Sequence, residues 1–357
     1  MYALDLLYRR DDKQLAAYRA SCTLETCPIK ASYYAYRPSL PTNAAFLALF
    51  SFSLCCFILQ AALSRRFIGF TIAMVSGCSL EVLGYIGRIM SWYNPFNQNG
   101  FLMQIVCLTI APAFLAAGIY LTLSRIVITF GPENSHIKPL SYPRIFIPCD
   151  LASLLLQAIG GGMASAASHQ AKSPNTGDHI MVAGLGFQVL TLLLFQLLCL
   201  DFMIKTLRRM RTMGAAALDP KHARLRGSAT FRAFLVALAL ATFCIFVRSI
   251  YRVAELSEGW NGALIENQHL FIGFEGAMVV VAVLVLNLFH PGYCFRDGYV
   301  QREYRNLFRK KGMRTVDVAD EKGSPVRDGL SGTASPAHEV SESGADVKEE
   351  QRDSAAA

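Results

Sequence analysis

Seven apolar runs, each long enough to cross a hydrocarbon layer, constrain this chain more than any other feature. They read about Asn43–Leu63, Phe67–Met90, Phe101–Ser124, Arg144–Ala167, Ile180–Asp201, Phe231–Ala254 and His269–His290. A hydrocarbon core roughly 30 Å thick needs about 20 apolar residues per helix. Within lipid the backbone satisfies its polar groups only as helix or closed barrel, and continuous runs of this length specify helix. The expected fold is an all-α membrane protein with seven transmembrane helices. Composition agrees, because 53% of the 357 residues are hydrophobic and 17% charged, against about a quarter charged in soluble domains.

Basic residues set the expected orientation. They cluster at Arg65 and Arg66, from Arg125 to Arg144, and in the linker holding Lys205, Arg208, Arg209, Arg211, Lys221, Arg224 and Arg226. Lys and Arg favour the cytoplasmic side, so these alternate loops and the tail are expected inside and the N-terminus outside. The formal charge of +8 therefore reads as topology signals, with no nucleic-acid partner expected. The opposite loops, Ser91–Gly100, a stretch whose only base is Lys172, and Glu255–Gln268, carry almost no positive charge. Trp92, Tyr93 and Trp260 at span ends read as interfacial anchors.

Domain organisation follows. Residues 1–42 form an extracellular segment, 43–292 the seven-helix domain, and 293–357 a cytoplasmic tail, basic and then Ser-, Gly-, Pro- and acid-rich, which reads as disordered. The basic part, 296–314, either contacts anionic inner-leaflet lipid or is merely solvated. The first forty residues, with Arg9, Arg10, Lys13 and Arg19, lack the apolar core of a signal peptide, so the first span is expected to target the chain. The plasma membrane is the expected location, with vacuolar or endoplasmic reticulum membrane as alternatives.

Of ten cysteines, seven fall in apolar runs as small hydrophobes. Cys22 and Cys27, on the expected outer side, either close one small disulfide loop or remain free. Cys294, just past the last span, is either a palmitoylation site or an unmodified thiol.

Ionisable residues inside lipid are costly, so those that persist pair with one another or line a polar cavity. Glu81, Tyr85 and Arg88 share one face of the second span, and Asp150, Ser153 and Gln157 one face of the fourth. The sixth carries Arg248, Arg252 and Glu255, the last two spaced for an ion pair within one helix, and the seventh carries Glu275. Three carboxylates on three spans, Glu81, Asp150 and Glu275, are expected to share a buried polar core, either as a ligand site or as a structural network that fixes helix register. Gly160, Gly161 and Gly162 mark close helix packing or a broken helix, and Pro112 a kink.

Several chemistries are excluded. No G-x-x-x-x-G-K-[ST] is present, so the chain carries no phosphate-binding loop for ATP. No lysine lies within the seven runs to hold a retinal, and all seven histidines fall in loops, the tail or span ends. His169, His179 and His269 share the expected outer face, as ordinary interfacial residues or a metal or porphyrin contact. No cofactor, metal or enzymatic activity is expected.

Five segments carry a family resemblance: YRPSLPTNAAF (Tyr36–Phe46), EVLGYIGR (Glu81–Arg88), DLASLLLQAIGGG (Asp150–Gly162), FVRSIYRVAEL (Phe246–Leu256) and NLFHPG (Asn287–Gly292). They resemble fungal lipid-translocating exporters, the family of 7-aminocholesterol resistance proteins and sphingoid long-chain-base exporters with a protoporphyrin-uptake branch, over about Tyr36–Gly292. The resemblance implies a seven-span protein that moves, or protects against, amphipathic lipids or drugs, with Glu81, Arg88, Asp150, Gln157, Arg248, Arg252 and Glu255 at family motif positions. Glu275 stands where that family more usually has aspartate, and Ala277–Met278 where it has proline. The expected function is a transporter or floppase-like exporter of an amphipathic lipid or drug that does not hydrolyse ATP; the alternative is a seven-span lipid or stress sensor signalling through the Lys205–Arg226 loop and the tail.

Overall fold

The computed structural model describes residues 21–64, 67–169, 175–214, Leu218, 222–258, Leu264 and 267–295. Among the described residues there is no strand, and seven helices are long and apolar enough to cross a membrane. They are α1 (Leu40–Ser64), α2 (Ile68–Tyr93), α3 (Gln98–Phe130), α4 (Ser141–His169), α5 (Asn175–Met213), α6 (Ala229–Ser257) and α7 (Gln268–Cys294). Each expected run corresponds to one helix, and the chain is a multi-pass helical membrane protein. Arg65, Arg66, Trp260, residues 1–20 and the tail from 296, including the 296–314 lipid contact, lie outside the described residues.

Helices outrun lipid where the sequence favours it. α5 continues past Asp201 to Met213, 39 residues in all, about 58 Å of helix. Its extension, KTLRRMRTM, is rich in strong helix formers, and bases near a helix C-terminus complement the dipole.

Consecutive helices pack on one another, α7 closes onto α1, and α3 also reaches α6. Glycine sets the closest approaches. A Cβ on Gly160 of α4 would lie 2.7 Å from the Gly177 carbonyl oxygen of α5, and one on Gly177 would lie 2.6 Å from that of Gly160. Small residues let helix backbones meet in lipid. α4 runs unbroken through the glycine triplet; Gly160 makes the close backbone approach, whereas Gly162 has open space around it. Likewise α3 continues through Pro112.

α7 is composite. Gln268–Leu270 is α-helical, Phe271–Ala277 is a π-helix, and Met278–Leu288 returns to α. NLFHPG then stops and restarts the helix, with the His290 ring accepting from the Gly292 N–H at 3.0 Å and Pro291 opening the final turn. Cys294 is only 4% exposed, within the aromatic core.

Before α1, Cys22 and Cys27 are joined by a disulfide, and the loop packs with Ala31 on Phe96 of the α2–α3 turn. Arg37 donates to the Trp92 carbonyl at 3.1 Å and lies over its indole. We refer to this end of the bundle as the N-segment end and to the opposite end as the basic end.

Candidate functional site

Three helices bring charge to one interior region toward the N-segment end. The i, i+4, i+7 spacing places Glu81, Tyr85 and Arg88 of α2 inward, and all are buried. α6 contributes Arg248, Arg252 and Glu255, also buried, and α7 contributes Glu275 at 2% exposure. Arg248 Nη2 donates to Glu275 Oε1 at 2.5 Å and also to the Leu108 carbonyl of α3. Arg252 Nη1 donates to Glu255 Oε2 at 2.5 Å and Nη2 to Thr109 Oγ1 at 3.1 Å, while its Nε lies 3.9 Å from Glu275 Oε2.

The π-helical stretch holds Glu275. A π-turn adds a residue per turn and rotates the face that follows, and such segments recur at functional sites. The next residue has to be small, because a Cβ on Gly276 would meet the Phe46 ring at 2.5 Å and the Tyr85 hydroxyl at 2.9 Å. Phe46 and Phe50 of α1 pack on the Tyr85 ring.

The network has a formal balance of Arg88, Arg248 and Arg252 against Glu81, Glu255 and Glu275. Two arginines are taken by Glu275 and Glu255. Arg88 is engaged otherwise: it donates to Asn43 Oδ1 and the Tyr36 hydroxyl, each at 3.0 Å, and stacks 3.8 Å from the Phe271 ring centroid. Glu81 is the remaining charge. It lies within electrostatic reach of Arg248, Glu275 and Arg252, yet among the described residues no hydrogen bond or ion pair reaches it. Nearby, Tyr85 Oη, Arg248 Nε and Glu275 Oε2 are buried without a hydrogen-bond partner. Buried polar groups are normally satisfied, so this concentration of unpartnered groups singles the region out as the candidate site.

Asp150 is not part of this network, which corrects the expectation of one core shared by three carboxylates. α4 packs between α3 and α5, so Asp150 meets Tyr120, whose hydroxyl donates to Oδ2 at 2.9 Å. Gln157 donates to Gln188 of α5 at 3.2 Å. These two expected site residues are therefore separated from Glu81 and Glu275.

Sequence reasoning missed Tyr34, Tyr36 and Asn43. Tyr34, 3% exposed, donates to Gln104 Oε1 of α3. With Tyr36, Arg88, Arg252, Glu255 and Phe271 it lines a narrow cleft at the N-segment end. Ala35 between the tyrosines has φ +57°, a left-handed turn disfavoured for a residue with a Cβ. The available signal was the aromatic string SYYAYR directly before the first apolar run. His179 and His269 are exposed, and among the described residues no three His, Cys, Asp or Glu side chains gather as a metal site.

The family model described as RTA1 like protein matches residues 74–298, more than half of the chain and all of the charged network. The chain belongs to the RTA1-like family. It is 33% identical over 281 residues to the Saccharomyces cerevisiae (strain Lalvin EC1118 / Prise de mousse) sphingoid long-chain base transporter RSB1, covering 72% of this chain and 73% of the relative. Protein RTA1 of Saccharomyces cerevisiae (strain ATCC 204508 / S288c) is 27% identical, with 72% and 84% covered. Protoporphyrin uptake protein 1 of that strain is 28% identical, with 61% and 67% covered. No solved structure matches this RTA1-like chain.

Proposed function

We propose that this chain moves a cationic amphipathic lipid, of the sphingoid-base type, across the membrane, with Glu81 meeting the lipid ammonium. The observation that carries this reading is the position of Glu81: a buried carboxyl with no pairing partner among the described residues, beside two arginines committed to other glutamates. An arriving ammonium supplies the missing partner without breaking an existing pair. The hydroxyl of Tyr85 and the second oxygen of Glu275, both lacking hydrogen-bond partners, suit the hydroxyls of such a headgroup. The printed name of the RSB1 relative is a second support.

In this reading the N-segment end faces outside and the basic end the cytoplasm, as the distribution of Lys and Arg favours. The plasma membrane is the site of action. With no phosphate-binding loop in the sequence, movement proceeds without ATP hydrolysis.

The test is reconstitution of the purified chain in nucleotide-free vesicles with labelled sphinganine. The reading expects sphinganine to cross faster than in empty vesicles, and its uncharged N-acetyl derivative to show little acceleration. Equal rates with and without protein sink direct transport and favour a lipid sensor acting through the Lys205–Arg226 loop.

A further inference from the structure

One buried carboxyl stands apart from every arginine of the network. Asp150 is 3% exposed, its Oδ2 accepts from the Tyr120 hydroxyl, and its Oδ1 has no hydrogen-bond partner. Among the described residues, no Lys, Arg or His side chain forms an ion pair with it. The titratable groups around the pair are Tyr120 from α3, Cys149 on α4 itself and Cys199 from α5, with Tyr142 packed next to Phe146. None supplies a cation. A carboxyl withdrawn from water needs either a cation or a proton to remove its charge.

With no protein cation beside it, the remaining way is a proton. Phe195 and Phe146 pack on the Tyr120 ring at centroid distances of 4.5 and 5.4 Å, so the donor that reaches Asp150 Oδ2 is itself held among aromatic rings. Asp150 also lies nearer the basic end than the Glu81 network does. Nine residues of helix separate it from Ser141 at the start of α4, about 14 Å.

We propose that Asp150 is a proton-binding site, distinct from the Glu81 network, that exchanges a proton with water at the basic end during the transport cycle. The step is heterolysis of one carboxylic O–H: the proton passes to water, the electron pair stays on the carboxylate, and the Tyr120 hydroxyl holds the resulting anion. Its place in a cycle rests on the transport reading above; the proton site itself does not.

Infrared difference spectra of the full chain in vesicles, titrated between about pH 5 and pH 9, test it in wild type, Asp150→Asn and Tyr120→Phe. The expected result is a protonated-carboxyl carbonyl band that fades as pH rises and is missing from Asp150→Asn. In Tyr120→Phe, which keeps the acid but loses the donor to its anion, the same band should fade about one pH unit higher. Tyr120→Phe carries the test if Asp150→Asn does not fold. A band unchanged in either folded variant overturns the proposal. Vesicles that show the band yet move no sphinganine sink the transport reading and leave the proton site standing. Equal, gradient-insensitive transport by wild type and Asp150→Asn removes the proton from the cycle.

Discussion

Arg248 of α6 reaches Glu275 of α7 at 2.5 Å with both side chains 2% exposed, and the glutamate sits inside the one π-helical stretch among the described residues. The pair joins two helices in the half of the bundle where Arg252, Glu255 and Glu81 also gather, so it sets the geometry around the unpaired carboxyl.

Removing one member of this pair leaves the other buried and uncompensated. Arg248→Ala is expected to cost about 3–5 kcal/mol, whereas an apolar replacement of both, Arg248→Met with Glu275→Leu, should recover much of that loss. Thermal unfolding in a fixed detergent checks the order, and a single variant as stable as wild type would contradict the pairing.

The contact between α4 and α5 depends on the absence of side chains. Gly177→Val brings atoms against the Gly160 backbone and should destabilise by about 1–3 kcal/mol. Gly162→Ala, which has open space, is expected to leave the unfolding temperature within experimental scatter. Comparing the two variants by scanning fluorimetry decides the point.

The tyrosine segment should behave as a docked cover over the cleft. Tyr36→Phe removes the acceptor for Arg88 and is expected to cost about 1 kcal/mol, seen as faster hydrogen exchange across Tyr33–Arg37.

Docking should also have a defined alkaline limit. Burial pushes the Tyr34 phenol up to about 12, against the pull of the Arg88 guanidinium, while an unfolded phenol titrates near 10. The folded state therefore binds this proton more tightly, so the Tyr34 contribution is fully present below about pH 10 and is lost between about pH 10 and pH 12. Ultraviolet titration of tyrosinate in wild type and Tyr34→Phe measures it; a Tyr34 signal already ionised at pH 9 would contradict the burial.

Much of the bundle was legible because the lipid solvent leaves few choices: each long apolar run had to become a helix, and the shared face of Glu81, Tyr85 and Arg88 follows from helical period alone. The Arg252–Glu255 pair was legible for the same reason, being local to one helix. Asp150 was misplaced because residue spacing gives a face but not the neighbour that it meets, and α4 turned out to pack against α3 and α5. The π-turn carrying Glu275 was hidden as well, since it changes the register of a run whose apolar composition stays the same. Tyr34 and Tyr36 received no site role, although Tyr36 opens the YRPSLPTNAAF segment, because they precede the first span, where no periodicity marks a buried side chain.

The central claim is that Glu81 meets the charge of the lipid, and the most direct measurement is protein-dependent movement of labelled sphinganine in vesicles containing wild type, Glu81→Gln or Glu81→Asp, all shown to be folded. The account predicts loss of movement in Glu81→Gln, which keeps shape but not charge, with at least partial retention in Glu81→Asp; wild-type rates in folded Glu81→Gln would contradict it.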